Sequence, residues 1–268
     1  MTGFHDPDAG RDFARYLGLT MTEVGEPAPG TAQVVGTVDA ADHLRRPDGT
    51  IAMGALLGLA DSVAGLCGGL AALPGWVVST NLMLRTVETT VTGPLELRTE
   101  VLRAGKKAVV TGVTIHDAGA AGRLIADGAL TSAVLRPADG PPVYARPLVL
   151  DMGTAPPGAR PLSEFLALET ADAKTVRIPI TDQVRNPWGI LHGAATAALV
   201  DLAAQHATGA GTTSDAVLHF LNPGRVGPVT ASTRVIGDRP DGALVRVEIH
   251  DSGADDRLMA FAIATARD

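Results

Sequence analysis

Two stretches of this chain are apolar, rich in small residues and nearly free of charge. They run over about 51–72 and 190–208, and their length and lack of strict alternation predict a long buried helix in each. Each is preceded by a short β-branched run, Ala32 to Val38 and Thr175 to Ile180. Each is followed by segments of alternating apolar and polar positions that predict strands. These fall near 76–87, 94–104, 107–117 and 122–136 in the first half, and near 214–221, 228–237, 242–251 and 256–267 in the second. Turn residues separate them: Gly105-Lys106, Asp117 to Gly122, Gly237 to Gly242 and Asp251 to Asp256. One long helix against a curved antiparallel sheet, made twice, is an α+β layout.

The two halves are copies. Val113-Thr-Ile-His-Asp-Ala-Gly119 recurs as Val247-Glu-Ile-His-Asp-Ser-Gly253, 134 residues on, half the length of the 268-residue chain. Gly93-Pro94 and Gly227-Pro228 repeat at the same offset. The segment from Arg46 to Asp61 aligns without gaps on Asn186 to Asp201 at an offset of 140, so the second copy has lost six residues after its helix. Residues 1–136 are thus expected to form an N-terminal repeat and 162–268 a C-terminal one. Between them, 137–161 hold seven of the 18 prolines and read as a semi-rigid connector.

Composition narrows the function. With 46% hydrophobic and 19% charged residues the chain can bury a core, and a net charge of −7 without Lys/Arg-rich runs argues against nucleic acid as a partner. Ile51 to Leu73 is long enough to raise the question of a membrane span. Asp61 near its middle and glycines at 54, 58, 65, 68 and 69 favour a helix packed inside protein instead. The single cysteine, Cys67, excludes an intramolecular disulfide framework and fits a reducing cytoplasm. No secretory leader is read in Met1 to Arg15. The histidines show no metal-ligand spacing, so no metal is expected.

Asn186-x-x-Gly189-x-x-His192-Gly193, followed by Leu199-Val-Asp201, resembles the active-site pattern of hotdog-fold acyl-CoA thioesterases of the phenylacetic-acid type. Val78-Ser-Thr-Asn-Leu82, Val101-Leu-Arg-Ala-Gly-Lys-Lys107 and Gly122-Arg-Leu-Ile-Ala-Asp-Gly128 resemble that family's strand motifs. The resemblance implies a double hotdog that hydrolyses a thioester. Coenzyme A would be part of the substrate, no separate cofactor is needed, and further pairing of such units into homo-oligomers is in keeping with the family.

The chemistry has its own logic. Thioester hydrolysis develops negative charge on the carbonyl oxygen, and N–H groups at a helix start can stabilise it. His192-Gly193 stands at such a start, and a carboxylate must activate water or attack directly. His192 and Asp201 are nine residues apart on one helix, about 13 Å of rise, so they cannot serve the same carbonyl. The resemblance implies antiparallel central helices, each site taking its helix start from one copy and its acid from the other. That pairs Asn186, His192 and Gly193 with Asp61, and makes Ser79 the residue that orients acid or water. The mirror site would use Asp201 and Thr213, but Arg46, Ala52 and Met53 replace the asparagine, histidine and glycine there. One working and one degenerate site are expected. Arg103, Lys106 and Lys107, on a strand–turn–strand, are the expected contacts of the coenzyme phosphates; a solvated hairpin would look the same.

Other readings stay open at this stage. His192 could be only a helix-start hydrogen-bonder, and Ser79 and Thr213 only strand residues. Asp201-Leu-Ala-Ala-Gln205 resembles the helix motif of double-hotdog dehydratases, whose first half needs a histidine motif that His43, followed by Pro47, does not supply. A non-catalytic acyl-CoA binder is the third reading. For an aryl group, aromatic residues are few; Trp76, Trp188, Phe220 and Phe261 are the candidates.

Overall fold

The computed structural model describes residues 11–136, 146–155 and 158–267. The first repeat runs α1 (Arg11–Leu17), β1 (Thr20–Ala28), β2 (Thr31–Val38), α2 (Met53–Ala72), β3 (Trp76–Thr86), β4 (Leu95–Ala104), β5 (Ala108–Asp117) and β6 (Arg123–Leu135). After β7 (Val149–Asp151), the second repeats the order: α3 (Leu162–Phe165), β8 (Glu169–Asp172), β9 (Thr175–Ile178), α4 (Gly193–Thr208), β10 (Thr212–Phe220), β11 (Val229–Arg239), β12 (Gly242–Asp251) and β13 (Arg257–Arg267). All eight strands expected after the two helices are present within a few residues. The duplication also reaches further upstream than expected. Each copy opens with a short helix and an extra strand, and the turns between them match: Gly18 and Ala167 both take positive φ, 149 residues apart. The part of the expected connector at 146–155 contains β7, which pairs with β1, so it is sheet edge as well as link. Residues 137–145 and 156–157 lie outside the described residues.

Among the described residues the strands form one antiparallel sheet of 13, in the order β7-β1-β2-β4-β5-β6-β3-β10-β13-β12-β11-β9-β8. The seam is β3 against β10, where Asp215 pairs with Arg85, Val217 with Met83 and His219 with Asn81. Those pairs exchange under the 134-residue offset, so a pseudo-twofold axis passes through the Met83–Val217 pair. This is the double-hotdog arrangement: each half-sheet wraps one central helix, and the helices meet under the seam. Alternation explains the core. In β5 and β12 every second residue faces inward and is buried.

The repeated Ile-His-Asp is structural in both copies. Asp117 accepts from the N–H groups of Thr92 (2.8 Å) and Gly93 (2.9 Å), and Asp251 from those of Arg225, Val226 and Gly227 (2.7–3.0 Å). Burial opposes the charge on both, but these N–H groups hold each carboxyl below its ordinary value. His116 and His250 bond the carbonyls of Gly122 and Asp256 across the following turns.

Small residues let α2 and α4 approach closely. A Cβ built on Gly54 would lie 3.0 Å from Leu162 Cδ2, 3.1 Å from Asp201 Oδ2 and 3.3 Å from the Ala198 carbonyl; one on Gly58 would lie 3.2 Å from Phe13 and 3.6 Å from Ala194 Cβ. Gly54 with Ala198 and Gly58 with Ala194 fix the helices antiparallel. Helix α2 is long and apolar enough to cross a membrane, but 72% of its most apolar window is buried inside the protein. Two glycines in it should respond oppositely to alanine. Gly54→Ala has no room and should cost about 1–3 kcal/mol. Gly65→Ala, with its nearest neighbour 3.8 Å away, should gain about 0.5–1 kcal/mol from helix propensity and chain entropy. Urea unfolding of both variants checks this.

Candidate active site

Neither central helix starts on an ordinary cap. Ala52 precedes α2 and offers no side chain, so the Gly54 N–H is instead accepted by Asp201 Oδ2 of the other repeat, at 2.7 Å. At the start of α4, His192 is its own cap: its Nδ1 accepts from the Ala194 N–H at 3.1 Å. The structure brings the two crossed combinations together, Asp61 beside Gly193 and Asp201 beside Gly54.

Asp61 projects from the middle of α2 to the start of α4. A Cβ built on Gly193 would lie 2.7 Å from its Oδ2, so only glycine leaves that oxygen its place. Its other oxygen, Oδ1, accepts from Ser79 Oγ at 2.7 Å. Ser79 reaches it because β3 carries a bulge there: the pairing to β6 slips between Ser79 and Asn81, which re-aims the side chain. The pairing of β10 to β13 slips at the related place, between Thr213 and Asp215, and aims Thr213 at Asp201.

The two acids differ in what surrounds them. Asp201 takes three donors: Oδ1 accepts from Thr213 and from Gln205, each at 2.7 Å, and Oδ2 from Gly54. Asp201 is 1% exposed and Thr213 0%, while Met53, where Gly193 stands in the other copy, is wholly buried. Arg46 lies beside this site and pairs with Asp48. The mirror site is therefore sealed. Around Asp61, by contrast, Ser79, Asn186, His192 and Gly193 are all half-buried, and no described residue donates to Asp61 Oδ2 or accepts from the Gly193 N–H. The Asp61 carboxyl, 5% exposed, lies beside Gly193 and Ser79 at the junction of the two repeats.

Electrostatics sharpen the contrast. Burial pushes the Asp61 carboxyl up to about 6, with the Ser79 hydrogen bond holding it back. Burial also raises Asp201, against the opposing effects of Gln205, Thr213, Gly54 and the nearby Arg46. Burial lowers the His192 imidazole to about 4, so it is neutral at pH 7. Because Nδ1 accepts from Ala194, the neutral ring carries its hydrogen on Nε2 and can donate from there. Phe13 of α1 lies nearly parallel to that ring, 14° between planes and 5.6 Å between centroids. Nothing in the sequence pattern pointed to Phe13, because α1 itself was not expected.

Asn186 plays a local role. Its Oδ1 accepts from the N–H groups of Trp188 (3.0 Å) and Ile190 (3.3 Å), closing the loop before α4. Gly189 completes that loop at positive φ. Arg103, Lys106 and Lys107 all lie exposed on the β4–β5 turn. The histidine needed by a dehydratase is not supplied by His43, whose Nε2 is bonded to the Tyr16 carbonyl at 2.8 Å. Cys67 is buried in the core. Among the described residues, no group of three or more His, Cys, Asp or Glu gathers as a metal site.

Residues 181–267, from the loop before α4 to the end of β13, match the family model described as acyl-CoA thioesterase N-terminal domain. That carries the acyl-CoA thioesterase part of the expected likeness; the phenylacetic-acid type is a finer assignment that it does not carry. A search among curated proteins finds no match. Among solved structures, the tesB protein of Mycobacterium avium subspecies paratuberculosis is 14% identical, with 96% of this chain and 98% of that one covered and a TM-score of 0.60. A candidate thioesterase II of Thermobifida fusca is 17% identical over 98% of both chains, TM-score 0.59. The 12:0-ACP thioesterase of Umbellularia californica is 12% identical over 88% of this chain and 94% of that one, TM-score 0.57. These likenesses show the double-hotdog fold.

The buried charge has a stability signature. Because the Asp61 carboxyl is raised in the folded state, it destabilises the fold once ionised. The penalty is absent below the ordinary carboxyl range, grows as pH rises toward 6 and is complete above it, on the order of 3 kcal/mol. Asp61→Asn should therefore melt above the wild type at pH 8, with the difference fading by pH 4. Calorimetry across that range checks it, and equal melting at both ends would show that Asp61 is not held raised.

Proposed function

We propose that this double-hotdog protein, whose residues 181–267 match an acyl-CoA thioesterase domain, hydrolyses acyl-CoA thioesters where Asp61 meets Gly193. The observation that carries the reading is the asymmetry of the two acids: Asp201 takes three protein donors over its two oxygens, whereas Asp61 takes one and has Oδ2 beside a helix-start N–H that no described residue accepts from.

The thioester carbonyl oxygen points at the Gly193 N–H, where the positive end of the α4 dipole favours the growing negative charge. The Asn186 Nδ2 and the His192 Nε2–H are the further donors at this helix start. Water held by Asp61 Oδ2 attacks the carbonyl carbon and passes a proton to the carboxylate. The tetrahedral intermediate then collapses, its C–S bond breaks, and the thiolate takes the proton back from the Asp61 carboxyl. Ser79, bonded to Oδ1, fixes which oxygen faces the water and keeps the carboxylate ionised at neutral pH. His192, neutral through this range, donates without itself titrating. The exposed cations of Arg103, Lys106 and Lys107 meet the coenzyme phosphates.

Thiol release from a panel of acyl-CoA esters tests this directly. Asp61→Ala should lower kcat by at least about 100-fold, the usual scale of a lost general base. Asp201→Ala should keep its turnover per folded molecule while losing on the order of 3 kcal/mol of stability, since it strands three donors. Turnover that survives Asp61→Ala and vanishes in folded Asp201→Ala would overturn the assignment.

The pH profile gives a second check. In the wild type, kcat/KM should rise with pH through an acid limb near 6 as Asp61 ionises. Removing the hydrogen bond that favours the ionised form, in Ser79→Ala, should move that limb to higher pH. A limb that stays in place would show that Ser79 does not tune the acid.

A further inference from the structure

The chain has two tryptophans, one from each repeat, and none of the chemistry above uses them. Trp76 opens β3, three residues before Ser79. Trp188 lies in the loop that Asn186 closes, four residues before His192. Their rings stack, 15° between planes with centroids 4.6 Å apart, and both residues are half-buried. The stack joins the start of β3 in the first repeat to the helix-start loop of the second. Under the repeat, the related positions at the sealed site are Ala210 and Asp48, so no aromatic pair forms there. Arg46 occupies that region instead, its Nη2 2.8 Å from where a Cβ on Gly211 would stand. The aromatic bridge and the Asp61–Gly193 pair occur together, at one site of the two.

Three landmarks are neighbours on the sheet. From Ser79 back to Trp76 is about 10 Å of strand. From β3 the sheet passes to β6 and then β5, with Trp76 beside Leu135, Val78 beside Ala133, and Ala133 beside Ala108. Ala108 follows Lys106 and Lys107, so the cationic turn is two strand spacings to the side of β3, again about 10 Å. The indoles thus lie within about 10 Å of Ser79 along the strand and about two strand spacings from the cations, near enough for one extended acyl-CoA to touch all three.

We propose that the Trp76–Trp188 pair is the binding element for the pantetheine arm, and so the determinant of how much of the thiol portion of a substrate the enzyme reads. The inference rests on the acyl-CoA hydrolase reading above. The arm offers planar amides and a gem-dimethyl group, which pack on indole faces, and an uncharged, half-buried aromatic bridge fits that middle section better than either charged end.

The test uses one alkyl and one aryl acyl group, each on three thiols: N-acetylcysteamine, pantetheine and coenzyme A. In Trp76→Ala, KM should rise about tenfold, a common scale for a buried aromatic anchor, for the pantetheine and coenzyme A esters. It should be unchanged for the N-acetylcysteamine ester, with kcat unchanged throughout, and Trp76→Phe should recover most of the loss. Lys106→Ala with Lys107→Ala should raise KM for the coenzyme A ester alone. Pantetheine and desulfo-CoA should both perturb tryptophan emission in the wild type. An equal loss on all three esters would mean that the pair merely props the helix-start loop, and unchanged KM on all three would mean that it binds nothing; either overturns the proposal. A loss confined to aryl acyl groups would place the pair on the acyl side and overturn it too. If the wild type hydrolyses none of the esters, the hydrolase reading falls, and the emission titration still decides the pair: no response to either ligand overturns it.

Discussion

Close approach of α2 and α4 is the constraint on which everything else in this molecule depends. Without Gly54 and Gly58 facing Ala198 and Ala194, the helices would stand further apart, and no carboxylate on one could reach the start of the other. With them, each helix lacks an ordinary cap and finds its partner's acid near its first turn. The sheet is built to the same geometry. Its seam crosses directly over the helix pair, and matching bulges in β3 and β10 turn one hydroxyl toward each acid. A buried carboxylate on an apolar helix is expensive in isolation. Here the fold places both of them where helix-start N–H groups and hydroxyls gather.

Much of this was legible in the chain and some was not. The helices and the strands that follow them could be read because their patterns are long and regular and recur at a fixed offset. The opening elements could not. Helix α1 has seven residues, and β1 carries Glu23, Gly25, Glu26 and Pro27 in its nine, too polar and broken to show alternation. Inward-facing Glu23 is tolerated because Arg146 and the Leu148 N–H arrive from 125 residues away to satisfy it, and no local pattern announces that. Strand β7, three residues long, exists only because β1 offers it an edge.

At the site, the residue types were readable and their spatial partners were not. Helical rise excludes His192 and Asp201 from sharing a carbonyl, which says that a second acid must come from elsewhere. It does not say which one, and the crossed pairing came only with the family resemblance. The Asp201–Gln205 spacing, four residues on a helix, is a visible signal that this acid has a local donor. Read alone it resembled dehydratase chemistry; with Thr213 and Gly54 in place it is one of three bonds to this carboxylate.

That set of donors bears on how the two sites came to differ. In a dimer of identical single repeats, one sequence must serve both as site and as scaffold, so the acid cannot be tied to a helix start without silencing every copy. Fusion into one chain removes that restriction. Once Met53 fills the space that Gly193 leaves open, no substrate can reach the start of α2, and its unpaired N–H needs another acceptor. Asp201 supplies it, and Thr213 and Gln205 complete the shell of a carboxylate that burial would otherwise disfavour. The same residue type thus holds a helix start on one side of the pseudo-twofold axis and leaves one open on the other. Retention of the acid in the sealed half follows from helix capping alone, and the open half can then carry a raised, half-satisfied carboxylate because the sealed half stabilises the helix pair they share.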